Sequence, residues 1–160
     1  MKIGIISDTH GRLTETQWAV DLFKEQGVSA VIHCGDIGSV SVVHAFRGIE
    51  THFVYGNTDG ENVLLHYAAE EDGNHHHHWC GSVKYEGKKI FFLHGHQSER
   101  FEQEINSGNW DLICFGHTHQ PAFELYGSTL ILNPGALYRV AAPSVAVLTL
   151  PEMTVERFSI

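Results

Sequence analysis

The first half of the chain alternates continuous apolar runs with segments of helical periodicity. The apolar runs span residues 2–7, 30–34 and 51–55. Runs of this kind are typical of strands that are buried on both faces. The helical segments begin at Thr14 and continue, after the later runs, over 39–48 and 62–70. Thr14 and Gln17 match a capping box, and Gly27 is expected to end the first helix.

The second half is dominated by strand patterns. Two segments of strand character flank Glu86–Gly87 and predict a hairpin. A helix is predicted over 98–106, followed by a strand over 111–116. The last predicted strands cover 122–126, 129–133, 144–150 and 154–160. Strand–helix units followed by hairpins predict an α/β fold in which two sheets stack and the helices lie outside them.

Length and charge narrow the class of protein. The 160 residues suit one domain, so we expect a single domain over 1–160. The formal charge is −9, and the basic residues are scattered, which argues against binding to long nucleic acid. No apolar run is long enough for a membrane helix, and Asp8 interrupts the first run too early for a signal peptide. We therefore expect a cytoplasmic protein that does not associate with membranes.

Candidate chemistry lies at the ends of five predicted strands. Each strand end carries a carboxylate, an amide or an imidazole, and four of the five lie beside glycine. The residues are Asp8, His10, Asp36, Asn57, His94, His117 and His119. Asp8 and His10 are two residues apart, so an extended chain would direct both side chains to one metal ion. Each motif alone is weak, but five consecutive strand ends together predict a metal site where strand ends converge.

These motifs, "DTH", "GD", "GN", "HGH" and "GHTH", resemble the calcineurin-like metallophosphoesterase superfamily, in particular its small bacterial and archaeal phosphodiesterases. The resemblance runs from residue 3 to about residue 135. It implies a four-layer sandwich of two mixed β-sheets flanked by helices. It also implies hydrolysis of small phosphodiesters by a hydroxide that bridges two divalent metal ions.

The resemblance also assigns the metal ligands. The first ion would be bound by Asp8, His10 and His119, and the second by Asn57, His94 and His117. Asp36 would bridge the two ions. The mixed oxygen and imidazole ligands suit Mn²⁺, Fe, Zn²⁺, Co²⁺ or Ni²⁺ better than Ca²⁺. The resemblance favours Mn²⁺.

One position departs from much of this superfamily. Its phosphomonoesterases and protein phosphatases place a histidine, implied to protonate the leaving group, directly after the metal-binding asparagine. Here that residue is Thr58. His96, in "HGH", is a substitute acid, although a contact with a metal ligand or with phosphate explains it equally well. With His96 in this role, the catalytic residues by resemblance are His96, Asn57 and Asp36.

Four consecutive histidines, His75–His78, form a second candidate site. Alternate residues of a strand face opposite ways, so four histidines in a row cannot converge on one ion. The sequence favours a solvated polar loop over a weak surface site for Ni²⁺ or Zn²⁺. His33 is expected to pack near the site, and surface positions are expected for His44, His52 and His66.

The sequence leaves two other functions open. One is a protein-interaction scaffold that has lost catalysis, and the other is a metal store formed by the histidine run. The scaffold would predict missing ligands, but all seven positions are filled. An exposed apolar helix face would permit a homodimer.

Overall fold

The computed structural model describes residues Met1–Ile160, which form eleven strands and four helices. The strands are β1 (Lys2–Ile6), β2 (Ala30–His33), β3 (Glu50–Phe53), β4 (His75–His76), β5 (Cys80–Tyr85), β6 (Lys88–Leu93), β7 (Leu112–Cys114), β8 (Ala122–Tyr126), β9 (Thr129–Asn133), β10 (Ser144–Thr149) and β11 (Thr154–Ser159). The helices are α1 (Leu13–Glu25), α2 (Val40–Ala45), α3 (Val63–Glu71) and α4 (Ser98–Ser107).

Both sheets mix parallel and antiparallel pairs. The first has six strands in the order β11-β10-β1-β2-β3-β4, and the second has five in the order β5-β6-β7-β9-β8. Strands β1 to β4 are parallel to one another, as are β6, β7 and β9. The carboxyl ends of these parallel strands carry the loops that hold the candidate residues.

The two sheets enclose one hydrophobic layer. Ile3 and Ile5 of β1 and Ile32 of β2 pack there with Ile90 and Phe92 of β6, and all are fully buried. Residues two apart on a strand share a face, so Ile3 and Ile5 both point into this layer. Burial of such side chains contributes roughly 1.5–3 kcal/mol each.

Helices cover the outer face of each sheet. Phe23 of α1 lies against Gly4 of β1, where a Cβ atom would come within 2.9 Å of the ring. On the second sheet, Phe101 and Ile105 of α4 pack on the opposite side from the inter-sheet layer. Because both faces of the central strands are covered, their sequences read as continuous apolar runs. The predicted α/β fold, a four-layer sandwich of two mixed β-sheets flanked by helices, is confirmed.

Three local predictions were wrong. His52, for which a surface position was expected, is buried on β3. Helix α1 begins at Leu13 with Arg12 as its N-cap, so Thr14 lies inside the first turn and caps nothing. The histidine run is not a solvated loop, because His75 and His76 form β4, the edge strand paired with β3. His76 is buried, because this short strand lies over α3 on one face of the sheet.

None of the four helices combines the length and the apolar character that crossing a bilayer requires.

Candidate metal centre

The candidate residues lie in tight loops just beyond the strand ends. Strand β1 ends at Ile6, and both Asp8 and His10 have a positive φ, 54° and 44°. The extended geometry expected for this pair was therefore wrong. The two side chains still approach each other, with His10 Nε2 3.8 Å from Asp8 Oδ1.

Left-handed backbone recurs at the other loops. Positive φ values also occur at Asp36 (53°), His117 (65°) and His119 (58°). A non-glycine residue in this conformation costs on the order of 1–3 kcal/mol, and such residues cluster at functional sites. The surrounding fold thus holds five of the seven candidate residues in a backbone conformation that is intrinsically unfavourable for them.

Glycines let these loops approach one another. A Cβ atom on Gly56 would overlap the backbone and carboxylate of Asp36, and one on Gly116 would overlap Ser7 and Asp8. The glycines beside the candidate residues therefore have a steric role.

Asp8 lies at the centre of one group of ligand atoms. Its Oδ1 is 3.1 Å from His119 Nε2. His10 Nε2 lies 3.8 Å away and His94 Nε2 3.9 Å away. The other carboxylate oxygen, Oδ2, accepts a hydrogen bond from the backbone N–H of His117 at 3.0 Å. The hydrogen bond orients the carboxylate, and Oδ1 remains directed at the imidazoles.

Asp36 lies between two imidazoles. Its Oδ2 is 3.4 Å from His10 Nε2 and also 3.4 Å from His94 Nε2. Its Oδ1 accepts the backbone N–H of Thr58 at 2.9 Å. One oxygen of Asp36 is thus fixed by the Asn57 loop, and the other faces both histidines.

The remaining candidate residues gather around His94. Asn57 Oδ1 lies 3.1 Å from His94 Nε2, and the His117 ring centroid lies 5.2 Å from that of His94. His94 Nδ1 donates to the backbone carbonyl of Cys34 at 2.8 Å, which leaves Nε2 free to bind a cation. All seven predicted ligands therefore lie in one place.

His96 lies beside this group. Its ring centroid is 5.6 Å from that of His94 and 6.2 Å from that of His117. Burial, followed by the neighbouring His94 and His117, lowers the pKa of His96. Its Nδ1 is buried with no hydrogen-bond partner.

Two observations show that these residues fit divalent cations. Asp8 Oδ1 and His10 Nε2 are buried atoms with no hydrogen-bond partner, although each can bind a metal. Burial disfavours the protonated form of His94, yet Asp36 and Asp8 outweigh it and raise its pKa. The centre thus attracts positive charge, and oxygens mixed with imidazoles are suitable ligands for divalent transition metals.

Comparisons with known proteins identify the family. The model of the calcineurin-like phosphoesterase superfamily domain matches residues 1–153. The chain belongs to this superfamily. A phosphodiesterase of Methanocaldococcus jannaschii is 35% identical over 153 residues, which is 92% of each chain. The phosphodiesterase YfcE of Escherichia coli K12 is 28% identical over 154 residues, 86% of this chain and 79% of that one.

A solved structure agrees with these relatives. A protein described as a novel archaeal phosphodiesterase superposes with a TM-score of 0.94 at 33% identity, over 100% of both chains. The chain is therefore a metal-dependent phosphoesterase, and the superfamily implies divalent metal ions at its centre.

Sequence reasoning missed three residues that support the centre of this phosphoesterase. Asp59 accepts backbone N–H groups from Ile37 at 3.0 Å and from Gly38 and Gly56 at 2.9 Å. Asp59 thereby ties the Asp36 loop to the Asn57 loop. The only indication of this role in the sequence was the position of Asp59, two residues after Asn57 and beside Gly60.

The other two are Thr9 and Tyr138. The Thr9 hydroxyl lies 3.0 Å from His33 Nε2. His33 is fully buried, in agreement with its predicted packing near the site. Tyr138 packs its ring 4.6 Å from that of His10. No sequence pattern indicated either contact, because both partners are distant along the chain.

Proposed function

We propose that this phosphoesterase is a phosphodiesterase that uses two metal ions and hydrolyses small phosphodiesters. The observation that carries the proposal is the position of Asp36, whose Oδ2 is 3.4 Å from both His10 and His94. A carboxylate oxygen equidistant from two imidazoles suits a ligand shared between two ions. Two-metal phosphatase sites commonly hold their ions about 3.5–4 Å apart.

The two groups of residues divide around Asp36. Asp8, His10 and His119 would hold one ion, because His119 and His10 lie 3.1 Å and 3.8 Å from Asp8 Oδ1. His94 lies 3.9 Å from the same oxygen but is closer to Asn57, at 3.1 Å. Asn57, His94 and His117 would hold the other, because Asn57 and His117 both lie beside His94. We propose Mn²⁺ for both positions, with Fe, Zn²⁺, Ni²⁺ and Co²⁺ as alternatives that suit the same ligands.

The bound ions would supply Lewis acidity, which lowers the pKa of a water toward about 7 and offsets the negative charge of the phosphate. The chain's own residues provide the geometry. Asp36 balances charge at both positions, and Asn57 places a neutral oxygen at the exposed side of the centre. His96 lies next to His94 and His117, where it would contact the phosphate or protonate the leaving alkoxide.

Thr58 favours diesters over monoesters. The threonine is exposed and follows Asn57, and its hydroxyl does not donate a proton as a general acid at neutral pH. An alkyl monoester presents a dianion and has a poor leaving group, so it depends most on a proton donor. A diester with a good leaving group depends on one less.

Exposure of the centre favours small substrates or accessible diesters. Asn57 and His117 are exposed, and the loops between the parallel strands are too short to form a cap domain. A homodimer through α3 also belongs to this proposal, because Val63, Leu64 and Tyr67 are 57%, 62% and 62% exposed. Analytical ultracentrifugation of wild type and Leu64→Glu tests the dimer.

The test is a screen of the chelated protein after each metal is restored. We expect no activity after chelation, and recovery with Mn²⁺ on aryl phosphodiesters at a rate well above that on the matched monoesters. Equilibrium dialysis should give about two Mn²⁺ per chain. Full diesterase activity in the metal-free protein, or one Mn²⁺ per active chain, would contradict the proposal.

A further inference from the structure

The histidine run divides between two faces of the first sheet. His75 faces the same side as His52, which it opposes in the strand register, and their rings stack at 4.8 Å. His76 faces the other side, where its ring lies 5.5 Å from that of His66 on α3. The run therefore contributes to two separate clusters.

The first cluster contains three metal-binding groups. Glu50 and His52 are two residues apart on β3, and His75 is on β4. One ligand atom from each of the three lies within 4.8 Å of the others. We call Glu50, His52 and His75 the edge cluster.

Exposure allows the edge cluster to close around an ion. Ligand atoms of a tetrahedral zinc site lie roughly 3.4 Å apart, as follows from bonds of about 2.0–2.1 Å. Glu50 and His75 are exposed and can rotate to that spacing, whereas His52 is 6% exposed and fixed. One rigid ligand and two movable ones can therefore form the site without moving the backbone.

Hydrogen bonds already orient the fixed ligand. His52 Nδ1 lies 2.9 Å from His77 Nε2, and His52 Nε2 lies 3.2 Å from Glu50 Oε1. In the free protein Nε2 carries the proton, because Tyr85 donates its hydrogen to Glu50 and the two oxygens beside Nε2, the Tyr85 hydroxyl at 2.8 Å and the Glu50 carboxylate, can then only accept. Nδ1 accepts from Nε2–H of His77. A metal ion would replace the proton on Nε2, and with its proton on Nδ1 His52 would donate to His77. A second ring nitrogen that donates to a neighbour is the usual arrangement for metal-binding histidines.

Tyr85 orients the carboxylate in the same way. Its hydroxyl donates to Glu50 Oε1 at 2.6 Å, and it comes from β5 of the second sheet. The hydrogen bond from Tyr85 fixes one carboxylate oxygen of Glu50. The edge cluster thus lies at the open side of the sandwich, where the two sheets meet.

The opposite face does not offer the same chemistry. His76 Nδ1 accepts the backbone N–H of His78 at 3.1 Å, so the proton of the neutral ring is on Nε2. Both nitrogens of His76 are then unavailable to a metal unless this hydrogen bond breaks. His76, His66 and His78 are therefore a packed aromatic group, not a ligand set.

The geometry points to a third metal site, in which Glu50, His52 and His75 bind one Zn²⁺ ion, with a water completing four-coordination. Two imidazoles and one carboxylate are a common zinc ligand set. The edge cluster is separate from the catalytic centre, because Glu50 begins β3 whereas Asn57 follows its carboxyl end. Binding would link β3 to β4 and favour the folded state.

Zinc stoichiometry tests the site in the full-length protein. The chain should bind about three Zn²⁺ ions, and His75→Ala should bind one fewer. Glu50→Gln should weaken the additional site at least tenfold, because the amide lacks the charge and binds zinc poorly. His78→Asn is the matched control, since it removes an exposed histidine of the same run and Asn tolerates the φ of 58°. The control should keep all three ions.

The comparison among variants is independent of the catalytic proposal, because the difference between wild type and His75→Ala does not depend on the catalytic metal count. Diesterase activity with Mn²⁺ should be the same in wild type, His75→Ala and Glu50→Gln. Equal zinc binding in wild type and His75→Ala would overturn the inference.

Imidazole ¹⁵N NMR gives a residue-level measurement. Zinc should move the Nε2 resonance of His52 and one nitrogen of His75 to the range of metal-bound nitrogen, and the proton of His52 should shift from Nε2 to Nδ1. The resonances of His66 and His76 should remain in place. Zinc-induced shifts of His66 and His76 without shifts of His52 and His75 would overturn the assignment.

Discussion

The carboxylate of Asp8 accepts the backbone N–H of His117 across the two sheets, at 3.0 Å. Asp8 follows β1 of the first sheet, and His117 follows β7 of the second. The His94–Cys34 hydrogen bond joins the two sheets at a second point. The Asp8–His117 hydrogen bond, between residues 109 positions apart, joins the loop after β1 to the loop after β7. It requires the loops to be in contact, and Gly116 is the residue that permits this.

Gly116→Ala should therefore abolish most diesterase activity. The new methyl group would overlap Ser7 and Asp8, so the loops must separate and the Asp8–His117 hydrogen bond must lengthen. We expect a higher Mn²⁺ concentration for half-maximal activity and a kcat at least tenfold lower. The control is Gly127→Asn, in the exposed β8–β9 turn, where an added Cβ meets nothing within 4 Å. Wild-type kinetics in Gly116→Ala would contradict the steric argument.

Sequence patterns predicted most of the fold for a physical reason. The central strands are buried on both faces, so each of them is a continuous apolar run that stands out between helical segments. Strand β4 was missed because two histidines have no apolar pattern. His75 and His76 form a strand only because β3 offers an unpaired edge, which cannot be seen in local sequence.

The position of the candidate centre was also predictable, but its geometry was not. Strand ends converge at one edge of a parallel sheet, so residues placed there had to meet. The left-handed conformations of Asp8 and His117 depend on tertiary contacts, and the extended geometry assumed for Asp8 and His10 failed for that reason. The role of Asp59 was hidden because its partners are backbone N–H groups, which any sequence possesses.

Asp36→Asn should damage activity more than substitution of any other carboxylate. Asp36 faces His10 and His94 at equal distance, so loss of its charge should weaken both metal positions. Asp21→Asn on the exposed face of α1 is the control and should behave as wild type. The measurements are kcat and bound Mn²⁺ after chelation and metal return. A smaller loss in Asp36→Asn than in Asp8→Asn would be inconsistent with a shared ligand.

Asp59→Ala should weaken metal binding although Asp59 touches no metal ligand side chain. Its carboxylate holds the N–H groups of Ile37, Gly38 and Gly56, and without it the Asp36 and Asn57 loops can drift apart. We expect the apparent Kd for Mn²⁺ to rise at least tenfold, with part of kcat restored at high Mn²⁺. Asp59→Asn keeps one acceptor oxygen and should lie between wild type and Asp59→Ala. If Asp59→Ala lowers the thermal stability but leaves the Kd for Mn²⁺ unchanged, Asp59 does not position the two loops for metal binding.

His76 should matter for stability rather than for catalysis. It is 9% exposed and packs its ring 4.1 Å from that of Tyr55, so His76→Ala should cost about 1–3 kcal/mol in unfolding free energy. Diesterase activity per folded molecule should stay near wild type. Urea titration measures the loss, and His78→Asn should change it by less than about 0.5 kcal/mol.

His76 should also make the free energy of unfolding decrease as the pH falls. Burial, followed by the neighbouring His66 and His78, lowers the pKa of His76 to about 3. Below pH 6.5 the unfolded chain binds a proton at this position and the folded chain does not, so unfolding is favoured by up to about 1.4 kcal/mol per pH unit. The effect should be absent above pH 7 and should grow between about pH 6 and pH 4. His76→Phe should remove the contribution of His76 to the pH dependence of the unfolding free energy. If the slope of unfolding free energy against pH is the same in His76→Phe and wild type, His76 is protonated in the folded state.

Thr58 should decide the preference between diesters and monoesters. A positioned general acid typically contributes about 10²–10⁴-fold, and Thr58 cannot act as one at neutral pH. Thr58→His should therefore raise kcat/KM for an aryl monoester relative to the diester of the same phenol. His96→Ala should lower diesterase activity most with poor leaving groups if His96 already supplies the proton, and equally for all leaving groups if it only contacts phosphate. Faster hydrolysis of the monoester by wild type would refute the argument from Thr58.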